Sequence, residues 1–281
     1  MVIERALEKL RQAAATKAAA ERGTLREPTK HVSSATQPAI EPRPTFPQLQ
    51  CDPAAAVAHR TLQAEASSPA TGRAAAAYRM VRTRLLNATR TNKIRSIAIT
   101  SPGPGDGKSV TAINLALSLA RDPATSVFLL DLDMRKPSIC GYLGVHPPVE
   151  LLSYFTGSSQ APEVFFSVGP PNLAIAGGLA STEGASELVG SGRFEALLAY
   201  IVSICSNPII LIDLPPLLVT DEALLLAPRV DATLLVVAEG RTRRDSLVRA
   251  VTMLADFTCV GVVLNRSSEA LEGDSYYYGY K

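Results

Sequence analysis

From residue 94 onward, short apolar runs rich in β-branched residues alternate with segments of helical periodicity. Runs of this kind are typical of buried strands, and helices between them require parallel pairing through right-handed crossovers. We therefore expect an α/β fold, a mostly parallel sheet with helices on both faces. The expected strands are 94–100, 126–131, 172–176, 209–213, 232–237 and 260–264, and the expected helices are 108–121, 191–204, 220–227 and 242–256.

A glycine-rich segment, PGPGDGKS at 102–109, follows the first expected strand and opens the first expected helix. Glycines let backbone N–H groups approach phosphate oxygens, and a helix N-terminus attracts anions. This context is that of a P-loop, in which Lys108 reaches the β- and γ-phosphates and the Ser109 hydroxyl binds Mg²⁺. Pro102 stands where the motif has its first glycine, which changes the first turn of the loop and leaves its phosphate-facing part intact. The expected ATP-binding residues here are Gly103, Pro104, Gly105, Asp106, Gly107, Lys108, Ser109 and Val110.

Three aspartates stand at the ends of two expected strands. Asp131 and Asp133 lie at and just after the end of 126–131, and Asp213 ends 209–213. Because the carboxyl ends of parallel strands lie at one edge of the sheet, we expect these side chains to converge beside the P-loop. There they could hold Mg²⁺ through water and accept a proton from a nucleophile. For any one of them, a helix N-cap is the alternative interpretation.

Composition excludes several classes of protein. Apolar residues make up 47% of the chain, which excludes full disorder. Lys and Arg number 28 against 26 Asp and Glu, and this balance argues against a protein that coats nucleic acid. The sequence has no run of 18 apolar residues and a charged N-terminus, so we expect neither a membrane span nor a secretory signal. Four scattered cysteines favour a reducing cytosol over a zinc or disulfide framework.

The pattern along the chain predicts four regions. Residues 1–26 form an amphipathic helix, either solvated and frayed or docking on a partner or membrane surface. Residues 27–53 form a proline-rich linker, and residues 54–266 form the core domain, led by a helix at 73–90. Residues 267–281 form a tyrosine-rich tail, which is either a phosphorylation site or an aromatic tail without that modification.

In their order, these motifs resemble those of the bacterial tyrosine kinases of polysaccharide export, cytoplasmic autokinases paired with chain-length determinant proteins. The resemblance covers about residues 76–281. PGDGKS at 104–109 resembles the family's PGEGKS, DLDMRKP at 131–137 its DxDxRKP motif, and IDLPP at 212–216 its Walker B segment. AEGRT at 238–242 and GVVLN at 261–265 resemble its late strand ends, and YYYGY at 276–280 resembles its C-terminal tyrosine cluster. A shorter likeness, IERALEKL at 3–10, is to the branch associated with exosortase-type sorting.

This resemblance implies a P-loop NTPase fold and an ATP- and Mg²⁺-dependent protein-tyrosine kinase. Lys108, Asp131, Asp133 and Asp213 would be catalytic, with Asp131 as the base. Ser109, Asp133 and Asp213 would hold the metal, Asn265 would contact adenine, and phosphate would go to Tyr276, Tyr277, Tyr278 and Tyr280.

The implied partners are a membrane chain-length determinant (a polysaccharide co-polymerase), further copies of the chain as a homo-oligomer, and a cognate tyrosine phosphatase, with no nucleic acid. The chain would be cytoplasmic and peripheral at the inner face of the plasma membrane through its partner, and it would control exopolysaccharide or capsular polysaccharide polymerisation and export.

One departure and two alternatives accompany this interpretation. The family's helix before the core reads ExxRxxR and contributes to ring assembly; Arg79 and Arg82 are present, but Ala76 stands at the Glu position. A partition or septum-positioning ATPase is the first alternative, although its signature lysine aligns with Gly103. A regulator that binds ATP without catalysis is the second.

Overall fold

A computed structural model describes residues 44–62 and 69–267, with the backbone alone at 69–71. The predicted helix at 1–26, the part of the predicted linker at 27–43 and the tail residues 268–281 lie outside the described residues. Within the described ranges, no helix is both long enough and apolar enough to cross a membrane.

An eight-stranded sheet forms the centre of the described part and confirms the predicted α/β fold. Its strands are β1 (Gln48–Leu49), β2 (Ser96–Thr100), β3 (Ser126–Asp131), β4 (Phe165–Val168), β5 (Leu173–Ala176), β6 (Pro208–Asp213), β7 (Ala232–Ala238) and β8 (Cys259–Asn265). Their order across the sheet is β1-β4-β5-β3-β6-β2-β7-β8. Neighbours pair in parallel, except that β4 and β5 pair antiparallel.

The six predicted strands are present with their ends within two residues, whereas β1 and β4 were missed. Both are short, with two and four residues. A run of this length shows too little periodicity to be distinguished from a loop in the sequence. The sheet therefore has an additional edge, formed by β1 and β4, that the sequence did not predict.

Nine α-helices lie between the strands of the described part. They are α1 (Pro53–Ala58), α2 (Pro69–Asn92), α3 (Lys108–Leu119), α4 (Ile139–Leu143), α5 (Leu151–Thr156), α6 (Ala185–Gly190), α7 (Arg193–Ile204), α8 (Glu222–Leu226) and α9 (Arg244–Met253). The four predicted core helices correspond to α3, α7, α8 and α9. The helices α1, α4, α5 and α6 have five or six residues and show no readable period.

Both faces of the sheet are buried, as parallel sheets require. Along β3, Phe128 and Leu130 join one apolar cluster with Phe194 of α7, while Val127 and Leu129 join the other with Ile113 of α3. Because side chains alternate between the two faces of the sheet along each strand, they pack into two separate hydrophobic cores. These cores fix the strands whose carboxyl ends carry the site.

Residues 44–62 form a strap that packs on the domain, so the predicted linker boundary at residue 53 is wrong. Phe46 lies against Phe128 and Phe165, with ring centroids 6.3 and 5.3 Å apart, and β1 pairs with β4. The prolines of this segment are compatible with an edge strand, which needs few backbone donors. Farther along, Asn114 of α3 donates to the Arg60 carbonyl and accepts from the Leu62 N–H.

The helix α2 confirms the leading helix predicted at 73–90 and is longer at both ends. Its Arg82 guanidinium donates to the carbonyl of Ser118 at 2.9 Å, so this arginine satisfies the C-terminal end of α3 within the same chain. The Ser118 hydroxyl of α3 donates to the Tyr78 carbonyl of α2 at 3.4 Å. The face of α2 that carries these residues therefore holds the helix beginning with Lys108.

Candidate active site

Sheet register brings the acidic strand ends together. Asp131 at the end of β3 lies opposite Asp213 at the end of β6, and Ile99 of β2 lies opposite Asp213 on its other side. The chain leaves β2 directly into the P-loop. The structure thus places the three predicted elements side by side at one edge of the sheet.

The P-loop connects β2 to α3 in a conformation that requires glycine. Gly105 and Gly107 have φ angles of 78° and 95°, the left-handed region that other residues avoid. Gly107 is the N-cap of α3 and supplies no side-chain bond to the first turn of the helix. The Asp106 carboxylate accepts the Gly103 N–H at 3.1 Å, which closes the loop on itself. The helix begins with uncapped N–H groups aimed into the loop, as an anion site requires.

The ammonium of Lys108 joins the loop to the acidic strand ends. Its Nζ atom lies 2.7 Å from Asp133 Oδ2 and 3.4 Å from Asp213 Oδ2. It also donates to the Ser109 hydroxyl at 3.1 Å. All three predicted metal ligands therefore surround one atom, and the side chain of Lys108 is only 11% exposed.

The ammonium of Lys108 and the carboxylate of Asp213 each favour the charged form of the other. Burial alone would lower the pKa of Lys108, but the Asp213 and Asp133 carboxylates raise it above its usual value. Burial raises the pKa of Asp213, and the positive charge of Lys108 opposes that rise. Lys108 therefore stays protonated while its carboxylate partners remain out of water.

Asp131 is held mainly by backbone N–H groups, whereas Asp133 and Asp213 pair with Lys108. The Oδ2 atom of Asp131 accepts the N–H groups of Ser138 and Ile139 at 2.9 and 3.0 Å, at the start of α4. Burial, followed by the negative charge of Asp213, raises the pKa of Asp131 to about 7. Asp131 is not the N-cap of α4, which is Ser138, but its carboxylate accepts the first N–H groups of that helix. A pKa of about 7 suits a base near neutral pH.

The other predicted nucleotide-binding residues lie at the same edge. Asn265 ends β8, and its side-chain amide donates to the Asp106 carbonyl at 2.9 Å. Val110 is half-buried in the first turn of α3. The tyrosines 276, 277, 278 and 280 lie outside the described residues, as does any contact that they make.

Sequence reasoning missed three arginines at this edge. Arg241 and Arg266 each donate to a P-loop carbonyl, and Arg135 forms an ion pair with the buried Glu222 at 2.6 Å. Arg135 lies two residues after Asp133, and Glu222 begins α8 after the loop that follows Asp213. The sequence showed that these arginines stand near strand ends, but it could not separate them from Arg243, whose guanidinium pairs with Asp245.

The donor set at the site fits Mg²⁺. Magnesium prefers oxygen ligands and retains several waters, and the groups around Lys108 Nζ are one hydroxyl and two carboxylates. Ser109, Asp133 and Asp213 are the residues that would hold the ion.

Comparisons with known proteins add to this geometry. No family model matches the chain. It is 29% identical over 208 residues to the tyrosine-protein kinase YwqD of Bacillus subtilis, covering 73% of this chain and 86% of that protein. It is 32% identical over 207 residues to the putative tyrosine-protein kinase EpsB of Ralstonia solanacearum, of which it covers 26%. Among solved structures, the VpsO kinase domain is 29% identical with a TM-score of 0.61, covering 69% of this chain and 95% of that one.

Bacterial kinases recur among the similar proteins by sequence and by structure alike. The chain is similar to bacterial tyrosine kinases over 69 to 73% of its length.

Proposed function

We propose that this chain is an ATP-dependent protein-tyrosine autokinase that phosphorylates its C-terminal tyrosines 276, 277, 278 and 280. The observation that carries the proposal is the position of Lys108 Nζ, at the start of the P-loop helix and within 3.5 Å of Ser109, Asp133 and Asp213. Such a cluster beside uncapped helix N–H groups suits a polyphosphate and its metal. Similarity to tyrosine kinases supports tyrosine as the acceptor.

The residues account for each part of the transfer. The phenol oxygen of a tyrosine forms a bond to the γ-phosphorus of ATP, and the bond from that phosphorus to the bridging oxygen of ADP breaks. The P-loop N–H groups and Lys108 hold the phosphates, and Asp131 accepts the phenol proton. Mg²⁺, when bound, supplies positive charge against the developing negative charge.

The tail leaves the domain at the nucleotide edge, because Asn265 ends β8 and contacts the P-loop. Tyr276 is eleven positions after Asn265, and an extended chain of that length spans at most about 40 Å. That reach includes the site of the same chain and the site of a neighbour. Ordering a short segment into a reversal costs entropy, so we propose transfer between subunits.

The proposed role is control of exopolysaccharide or capsular polysaccharide polymerisation and export. The proposed partners are a membrane chain-length determinant protein, which would bring the chain to the inner face of the plasma membrane, and a cognate tyrosine phosphatase. Phosphates on one tail would carry about −1.5 to −2 charges each and would repel acidic surfaces. This repulsion gives phosphorylation a physical route to dissociating an assembly.

The test is phosphotyrosine mass spectrometry of the full chain with ATP and Mg²⁺, in the wild type and two variants. We expect Lys108→Met and Lys108→Arg both to lose labelling, because neither presents an ammonium to the phosphates. The arginine variant retains a positive charge beside Asp133 and Asp213, which separates catalysis from charge balance. Lys93→Met, which changes an exposed lysine at the end of α2, is the matched control and should label normally.

Labelling of both Lys108 variants at the wild-type rate would overturn the site assignment. Nucleotide binding by a wild-type chain that never acquires phosphotyrosine, even with its membrane partner, would favour a regulator that uses ATP as a structural ligand. The partition ATPase alternative receives no support from the P-loop, where Gly103 stands at the position of that family's lysine.

A further inference from the structure

Three side chains at the ends of β7 and β8 each donate a hydrogen bond to a P-loop carbonyl. Arg241 donates to the Pro104 carbonyl at 3.3 Å and Arg266 to the Gly105 carbonyl at 3.2 Å. Asn265 donates to the Asp106 carbonyl at 2.9 Å. The three carbonyls are consecutive along the loop, so each side chain holds a different peptide group.

Peptide planarity gives these contacts a consequence for the opposite side of the loop. In a trans peptide group the C=O and the following N–H point in opposite directions. A donor that fixes the carbonyl of residue 104, 105 or 106 therefore also fixes the N–H of residue 105, 106 or 107. None of these N–H groups donates to a backbone carbonyl of the described chain. They are the donors that a P-loop offers to phosphate.

The loop and its three donors are in close contact. A Cβ atom added to Gly105 would overlap the Arg241 guanidinium, and one added to Gly107 would overlap the Asn265 amide. Both glycines are thus needed for space as well as for their positive φ angles. Arg266 has a φ of 59°, which is rare for a residue with a side chain, and its own N–H donates to the Asn265 side chain at 2.8 Å.

We propose that Arg241, Asn265 and Arg266 are positioning residues that hold the P-loop peptide groups with their N–H bonds directed at the phosphates. The inference rests on the proposed function, because the phosphates of a nucleotide are the ligand of the loop. It gives Asn265 a role besides the expected contact with adenine. A hydrogen bond at a carbonyl also polarises its peptide group, which strengthens the N–H as a donor.

Amide NMR of the full chain without nucleotide tests the assignment one peptide group at a time. The ¹⁵N shift of an amide responds to hydrogen bonding at the carbonyl of its own peptide group. We expect the largest ¹⁵N change at Gly105 in Arg241→Met, at Asp106 in Arg266→Met and at Gly107 in Asn265→Ala. Arg243→Met is the matched control, since the Arg243 guanidinium pairs with Asp245 and not with the loop.

Calorimetric binding of Mg²⁺–ADP and of inorganic pyrophosphate tests the consequence for ligands. Each methionine variant should weaken both ligands by the same factor, about three- to tenfold, the size expected for one hydrogen bond. In the double variant with Arg241→Met and Arg266→Met, the loss of affinity should be the product of the two single losses. The control should stay within about twofold, and the melting temperature without ligand should be unchanged in all variants.

Two results would overturn the inference. One is wild-type affinity for pyrophosphate in Arg241→Met and Arg266→Met together. The other is loss of ADP affinity with pyrophosphate affinity intact, which would mean that the arginines contact the base or ribose. Neither readout requires phosphoryl transfer, so a chain that binds pyrophosphate as expected but labels no tyrosine would overturn the proposed function and leave this inference standing.

Discussion

Asp131 combines two tasks that a carboxylate seldom has together. Two backbone N–H groups fix its Oδ2 atom, while among the described residues Oδ1 accepts only the Asp133 N–H, at 3.3 Å. The long bond on Oδ1 leaves that atom able to accept a further proton donor. The carboxylate is therefore oriented by the start of α4 and available on its other oxygen.

We predict that Asp131→Asn loses phosphoryl transfer far more than nucleotide binding. The amide cannot accept a phenol proton at neutral pH, and a lost general base costs about 10²- to 10⁴-fold in rate. The affinity for Mg²⁺–ATP should change by less than about threefold, because Asp131 does not contact Lys108 directly. Calorimetry beside a kinase assay measures both quantities.

Asp122→Asn is the control for this prediction. Asp122 also accepts a backbone N–H, that of Ala124, but it lies at the opposite end of β3. Equal loss of binding and of transfer in Asp131→Asn would make Asp131 a metal or folding residue instead.

At the scale of the elements, the strap at residues 44–62 moves the start of the folded domain to a position before the one predicted from the sequence. The sequence of 44–53 is rich in proline, and the helix α1 that follows is too short to be read from periodicity. The attachment of the strap to the domain depends on tertiary contacts. The ring of Phe46 packs against Phe128 and Phe165. The Asp52 N–H donates to the Leu143 carbonyl at 3.0 Å. A truncated domain that starts at residue 54 would lack these contacts.

We predict that Phe46→Ala lowers the free energy of unfolding by about 2 kcal/mol, less than a fully buried phenylalanine would cost because the ring is half-buried. Thr45→Ala, at the exposed neighbouring position, should stay within about 0.5 kcal/mol. Urea denaturation measures both. Equal stability of the two variants would show that the strap adds nothing to the domain.

At the scale of the whole molecule, the contacts of Arg82 bear on how subunits meet. One family contact is missing at Ala76, and Arg82 is bonded to Ser118 within its own chain. An assembly of this chain would therefore lack the Glu contact of the family's ExxRxxR motif.

We predict phosphorylation between subunits. A Lys108→Arg chain with its tail is mixed with an active chain that lacks residues 270–281, and phosphotyrosine is sought by mass spectrometry. Phosphate on the Lys108→Arg chain is the expected result. Its absence, together with self-labelling of the wild type at a rate independent of concentration, would leave transfer within one chain.

The sequence predicted the sheet centre and the residues around Lys108, because strand ends and the P-loop have local signatures. It did not predict contacts between distant segments. Arg135 and Glu222 are 87 positions apart, and Arg266 and Gly105 are 161 apart. The first pairing depends on β3 lying beside β6, and the second depends on β7 and β8 following β2 across the sheet. The sequence does not encode that strand order in any single window.

The strap also sets a path for mechanical load. Tension applied before residue 44 would first reach the two-residue pairing of β1 with β4 and the ring of Phe46. If those contacts separated, the load would pass through α1 to the bonds between Asn114 and the backbone of Arg60 and Leu62. Asn114 lies on the same helix as Lys108. Tension on the N-terminal segment would therefore be transmitted to the helix whose first turn binds phosphate.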